Sequence, residues 1–123
     1  MQYLFLIYGD ETAQYTPEQE RQTGEAHGAY WQMLHDHGVV RGGERLHASG
    51  TATLLRRPAD GGDDRLVTDG PFTETKEQLG GFYLLECSDL DKALEYARQL
   101  PVGPGGAVEV RPVNPFMSVD EQG

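Results

Sequence analysis

Two short apolar runs dictate how this chain can fold. "QYLFLIY" (Gln2–Tyr8) and "GFYLLEC" (Gly81–Cys87) are rich in aromatic and branched side chains and too short for ordinary helices, so they read as buried strands. Side chains alternate across a strand, so a run that is apolar throughout is apolar on both faces. A sheet built from such strands needs cover on two sides.

Two helical patterns supply cover for one side. Thr16 as N-cap, Pro17 at the first helical position and Gln19 at the capping-box position predict a helix from Pro17 to about His37, stopped at Gly38. Ala26, Tyr30, Met33, Leu34 and His37 mark its inward face. A second helix is predicted over Asp89–Leu100, capped by Ser88 and ended with the help of Pro101. Its stripe is Leu90, Ala93, Leu94, Ala97 and Leu100.

Between the helices, "VVRGGERL" suits a strand from Val39, with Gly42 and Gly43 marking a bulge or a close backbone approach. "TATLLRR" (Thr51–Arg57) and "RLVTD" (Arg65–Asp69) read as a hairpin with a longer loop. "AVEVRPV" (Ala107–Val113) alternates as a last strand, and the tail from Asn114 is expected to fray. The order strand, helix, strands, strand, helix, strand predicts a ferredoxin-like α+β plan, an antiparallel sheet with two helices on one face. The other face is left for a second subunit packed sheet to sheet, which predicts a homodimer.

A length of 123 residues fits a single domain over 1–123. Twenty acidic residues against 10 basic ones give a net charge of −10. That surface repels phosphate backbones and anionic membranes, so neither nucleic acid nor membrane is an expected partner. The single cysteine, Cys87, excludes an intrachain disulfide and fits a reducing compartment. The N-terminal run lacks a basic n-region and a cleavage site, and no apolar stretch approaches the roughly 20 residues of a membrane helix. A cytoplasmic location is expected. The four histidines, His27, His35, His37 and His47, form no HExxH, and there is no cysteine pair, so no metal is expected. The glycine pairs lack the GxxxxGK[ST] of a phosphate loop, and no cofactor is expected.

The stretch "VTDGPFTETKEQLGGFYLLECSDLDKALEYA", followed by "GGAVEVRPV", resembles the DGPF-domain branch of the YCII-related superfamily. Asp69-Gly70-Pro71-Phe72 is the namesake tetrapeptide, "TETKEQLGG" is its usual continuation, and the likeness runs from "YLFLIYGDE" to "EVRPV". The resemblance implies a dimeric α/β barrel of ferredoxin-like subunits. It implies little about activity, because most members are uncharacterised. Wider relatives include a dehydrochlorinase of chlorinated hydroxyquinols with a proposed histidine–aspartate pair. Actinobacterial DGPF-type genes often neighbour extracytoplasmic-function sigma factors. In "AHGAYWQMLHDHG", His27 takes the place of the superfamily's helix-borne histidine, where typical DGPF members carry tyrosine or another residue.

The candidate site follows. His27 is the acid/base candidate and Asp69 its orienting carboxylate. Trp31, four residues on, shares a helix face with His27 and is expected to border the same cavity as the DGPF turn. Trp31 and Phe72 would be apolar walls and Lys76 an anion contact. Each has a plainer reading: a solvated helix histidine, an Asp-Gly turn whose Phe72 plugs the core or a dimer contact, a surface ion pair. "TETKEQ" reads as one helical turn capped by Thr73, and Gly80-Gly81 as a re-entry beside another backbone. Two functions remain open, and whether the protein is an enzyme stays undecided. The first is a small-molecule pocket with a cofactor-free lyase or isomerase step on a phenolic or enolic substrate. The second is a non-enzymatic accessory protein associated with an extracytoplasmic-function sigma factor.

Overall fold

The helix start at Thr16 forms as its residues dictate. In the computed structural model, which describes residues 1–115, Thr16 Oγ1 accepts the Gln19 N–H at 3.1 Å and the Gln19 side chain accepts the Thr16 N–H at 2.9 Å. Two orphan amides are satisfied reciprocally, and helix α1 runs Pro17–Asp36. It stops where Gly38 adopts a left-handed φ of 69°.

The strands are β1 (Gln2–Asp10), β2 (Val40–Arg45), β3 (Thr53–Arg56), β4 (Leu66–Asp69), β5 (Glu77–Glu86) and β6 (Ala107–Pro112), with α2 (Leu90–Gln99) between the last two. Four of them form an antiparallel sheet in the order β2-β5-β1-β6. β3 and β4 pair apart from it as a two-stranded hairpin. The architecture is mixed α+β, with two helices and an antiparallel sheet, and the sheet of one chain stays open. The expected bulge falls at Arg41, where the β2–β5 register shifts between Val40 and Gly42. The tail expected to fray lies, from residue 116 on, outside the described residues.

One sheet face carries the core. Tyr3 and Phe5 of β1 pair with Leu85 and Tyr83 of β5, and Tyr30 and Leu34 of α1 pack on them with Ala93 and Tyr96 of α2. Phe5, Leu34 and Leu85 are fully buried, each worth about 1.5–3 kcal/mol against exposure. Cys87, just past β5, is buried in the same cluster. The opposite face presents Leu4 beside Leu84 and Leu6 beside Phe82, all half-buried. Neither helix covers them.

Four local expectations need correction. α2 is capped by Asp89, whose carboxylate accepts the Lys92 N–H at 2.9 Å, one residue later than expected. Its buried face turns toward Tyr96, leaving Leu90 exposed and Leu94 half-buried. The cause is Tyr96 itself: its carbonyl accepts the Tyr30 hydroxyl at 2.8 Å and its own hydroxyl meets His37 Nδ1 at 3.0 Å, which ties the two helices together. On α1, Ala26 and His37 are exposed. The fourth correction is at "TETKEQ", which forms no helical turn. Thr75 Oγ1 accepts the Glu77 N–H at 3.0 Å, and Gln78 Nε2 donates to the Thr73 and Thr75 carbonyls. Those side-chain bonds compete with a helix and start β5 at Glu77. Gly81 then passes so close to β2 that a Cβ would stand 2.8 Å from the Glu44 carbonyl oxygen, the backbone approach its glycine signals.

Candidate functional site

His27 sits on α1 over the helix-covered face of the sheet, half-buried, with Nδ1 3.3 Å from the Tyr83 hydroxyl of β5. Trp31, one turn on, lies with its ring centroid 6.0 Å from that of Tyr83, and Tyr30 meets the same ring edge-on at 5.3 Å. The rings fit because residue 43 is glycine: a Cβ there would stand 2.9 Å from Tyr83 Cδ1 and 3.1 Å from Trp31 Cζ3. Burial, and then the Arg45 charge, push the His27 pKa below the usual histidine value. Burial likewise raises the Tyr83 phenol. At neutral pH both groups are uncharged, and the group that orients His27 is a phenol rather than a carboxylate.

Asp69 ends β4 opposite Thr53, exposed, and among the described residues its carboxylate takes part in no hydrogen bond or ion pair. The next residue builds the turn. Gly70 takes φ 103°, a region that strains any side chain, and its N–H donates to the Ala52 carbonyl at 2.7 Å. The structure therefore places His27 on α1 and Asp69 on the hairpin, with no bond between them. Phe72 does not plug the core of its own chain. It is 71% exposed, with the Arg56 guanidinium 5.0 Å from its ring centroid. The Lys76 carbonyl accepts the Glu11 N–H at 2.9 Å, and its side-chain charge assists Thr12 in holding the Asp10 carboxyl below the usual range.

The cavity at the DGPF turn lies elsewhere than His27. It is an open cleft of about 560 Å³ between the main sheet and the 46–52 and 71–73 segments. Leu46, Ala48, Pro71, Phe72 and Leu79 give it apolar walls. Tyr8, His47, Ser49, Thr73, Glu77 and Gln78 supply polar groups. His27, Trp31, Asp69 and Lys76 are not in its lining. The strand alternation that turns Leu4 and Leu6 to the uncovered face carries Tyr8 to it as well, so the cleft opens at the end of that face. The Tyr8 hydroxyl donates to Glu109 at 3.3 Å; burial first, then the Glu109 charge, raise its pKa. Glu11 fixes the rim by accepting both the N–H and the hydroxyl of Ser49.

Sequence reasoning named Phe72 and missed Tyr8 and His47. The signal for Tyr8 was available in the alternation of β1. His47 falls in a stretch with no period at all. Apolar walls with a few hydroxyls, an imidazole and a carboxylate can hold a small, largely apolar molecule by one face and orient its polar substituents. Among the described residues no three His, Cys, Asp or Glu side chains converge to hold a metal ion. No helix there is long and apolar enough to cross a membrane.

Comparison with known proteins adds a family. The chain matches the YCII-related domain over residues 1–117. It is also similar to the uncharacterized protein R00369 of Rhizobium meliloti (strain 1021), 38% identical over 117 residues that cover 92% of each chain.

Proposed function

The chain belongs to the YCII-related family, and from that premise we propose that it binds a small phenolic or enolic molecule in the cleft beneath the DGPF turn and works as a homodimer of ferredoxin-like subunits. The observation that carries the reading is the cleft itself: Phe72 and Leu79 on its walls, with the Tyr8 and Thr73 hydroxyls and the Gln78 amide beside them. Pairing follows from the uncovered face of Leu4, Leu6, Phe82 and Leu84, which a second copy would cover to give the dimeric barrel. A cofactor-free acid/base step of lyase or isomerase type would fall to His47 and Glu77, which line the cleft, and not to His27.

A thermal-shift screen against substituted phenols tests this. A bound probe at 100 times its Kd stabilises by about 2.7 kcal/mol. The shift should shrink in Phe72→Ala, an exposed position whose truncation spares the core, and persist in His27→Ala. No shift with any phenol, or an undiminished one in Phe72→Ala, would overturn the assignment.

One observation favours a second reading, a non-enzymatic accessory protein of an extracytoplasmic-function sigma factor. His27 Nδ1 meets the Tyr83 hydroxyl and, among the described residues, no carboxylate of its own chain. Retention of the protein on an immobilised sigma factor, together with silence in the phenol screen, would move that reading ahead.

A further inference from the structure

We propose that the cleft beneath the DGPF turn selects its ligand by hydrogen-bond donors, and that the molecule it holds is an uncharged aminophenol. The inference rests on the cleft reading above and gives that site a substrate class. The protons of the lining carry it. For four polar side chains there, the direction of the bond is fixed by a partner that can only accept. The Tyr8 hydroxyl gives its proton to the Glu109 carboxylate at 3.3 Å. The Ser49 hydroxyl gives its proton to Glu11 at 2.5 Å, and the Thr51 hydroxyl to the Ala48 carbonyl at 2.7 Å. Gln78 Nε2 donates to the Thr73 carbonyl at 2.7 Å and to the Thr75 carbonyl at 2.8 Å, so both amide protons are spent and the amide cannot be turned round. Groups that have given up their protons keep only lone pairs for a ligand. Glu77, a carboxylate, likewise only accepts. The backbone of the 49–52 turn follows the same pattern: the Ser49 N–H goes to Glu11, the Thr51 N–H to the Ala48 carbonyl and the Ala52 N–H to the Ser49 carbonyl. Among the side chains of the lining, only Thr73 and His47 keep a proton to give.

Five acceptors against two donors choose a ligand by the groups it brings. A ketone, a carboxylate or a phenolate sets lone pairs against lone pairs and leaves both sides unsatisfied where water is displaced. No lysine or arginine lines the cleft to offset an anion. An aromatic amine brings the complement. Its nitrogen lone pair is delocalised into the ring, so the amino group acts as a donor twice over and hardly at all as an acceptor. The ring lies against Leu46, Phe72 and Leu79. A phenolic O–H adds a further donor, and its oxygen is left for Thr73 or His47.

The test is an amide NMR titration at neutral pH with meta-aminophenol, meta-dimethylaminophenol and meta-hydroxyacetophenone. All three are uncharged there, so the chain's net charge of −10 favours none of them. The second probe lacks the N–H donors while carrying more apolar surface, and the third puts an acceptor in their place. meta-Aminophenol should bind about tenfold more tightly than either, the worth of one good hydrogen bond, with shifts at Ser49, Thr73 and Gln78. In Glu109→Ala, an exposed strand position, Tyr8 regains its proton, and meta-hydroxyacetophenone should gain about threefold on meta-aminophenol. Equal affinities at these amides, or a preference for the dimethylamino or acetyl compound, would overturn donor selection and leave the cleft reading standing. A wild-type preference that survives unchanged in Glu109→Ala would overturn its origin in spent protons. Silence from all three probes overturns the cleft reading, and this inference with it.

Discussion

Adding one methyl group at residue 43 should be felt far more than adding it at residue 42. A Cβ at Gly43 would stand 2.9 Å from Tyr83 Cδ1, 3.1 Å from the Phe82 carbonyl oxygen and 3.1 Å from Trp31 Cζ3. The carbonyl belongs to the neighbouring strand and cannot retreat without breaking the β2–β5 ladder. The two rings hold each other and His27, so neither moves alone. Overpacking of this kind costs about 1–3 kcal/mol. Replacing a strand glycine by alanine returns about 0.5–1 kcal/mol of backbone entropy. Gly43→Ala should therefore lose up to about 2.5 kcal/mol net, and about 1 kcal/mol at the middle of both ranges. At Gly42 the new methyl would meet only Leu84 Cβ, at an ordinary 3.9 Å, and Gly42→Ala should be neutral or gain up to about 1 kcal/mol. Urea melts followed by fluorescence read both effects, because Trp31 is the only tryptophan and its ring is among the atoms displaced. A native emission maximum that shifts in Gly43→Ala and not in Gly42→Ala completes the pattern. Equal stabilities for the two variants would refute the packed Trp31–Tyr83–Gly43 cluster.

Burial grades the helix positions: Leu34→Ala, at a fully buried site, should cost about 2–5 kcal/mol in the same melts, while Leu90→Ala should stay within about 0.5 kcal/mol. A Leu34→Ala loss under about 1 kcal/mol would show that α1 does not pack as described. His27 should titrate below the reference ~6.5 in an NMR series, since burial and Arg45 both disfavour its charged form. The unfolded chain then binds the proton more readily. The His27 contribution to stability is therefore complete above ~6.5 and is lost as pH falls toward the lower folded value. A His27 that titrates at or above the free-peptide value would contradict its placement.

What could be read from the sequence is what local bonds decide. Thr16, Pro17 and Gln19 lie within four residues of one another, so the start of α1 needed no knowledge of the rest of the fold. The hairpin was legible for the same reason. The face of α2 was not, because Tyr96 is drawn inward by partners more than 50 residues away, Tyr30 on α1 and His37 just past its end. Phe72 shows the limit of expecting apolar residues inside: its side chain stands on the surface, where it serves a cleft wall. The expected His27–Asp69 pair required helix α1 and the β3–β4 hairpin to meet. Helix periodicity fixed the face His27 shares with Trp31. It carried no information about which strand lies beneath, and the strand there offers Tyr83.

The most direct measurement is a two-dimensional amide NMR titration with a substituted phenol. Binding in the cleft should shift Ala48, Ser49, Thr73 and Gln78 together, in fast or slow exchange according to affinity, and leave the amides of His27, Trp31 and Gly43 in place. Shifts concentrated at His27, Trp31 and Gly43, with the cleft residues unmoved, would contradict the account.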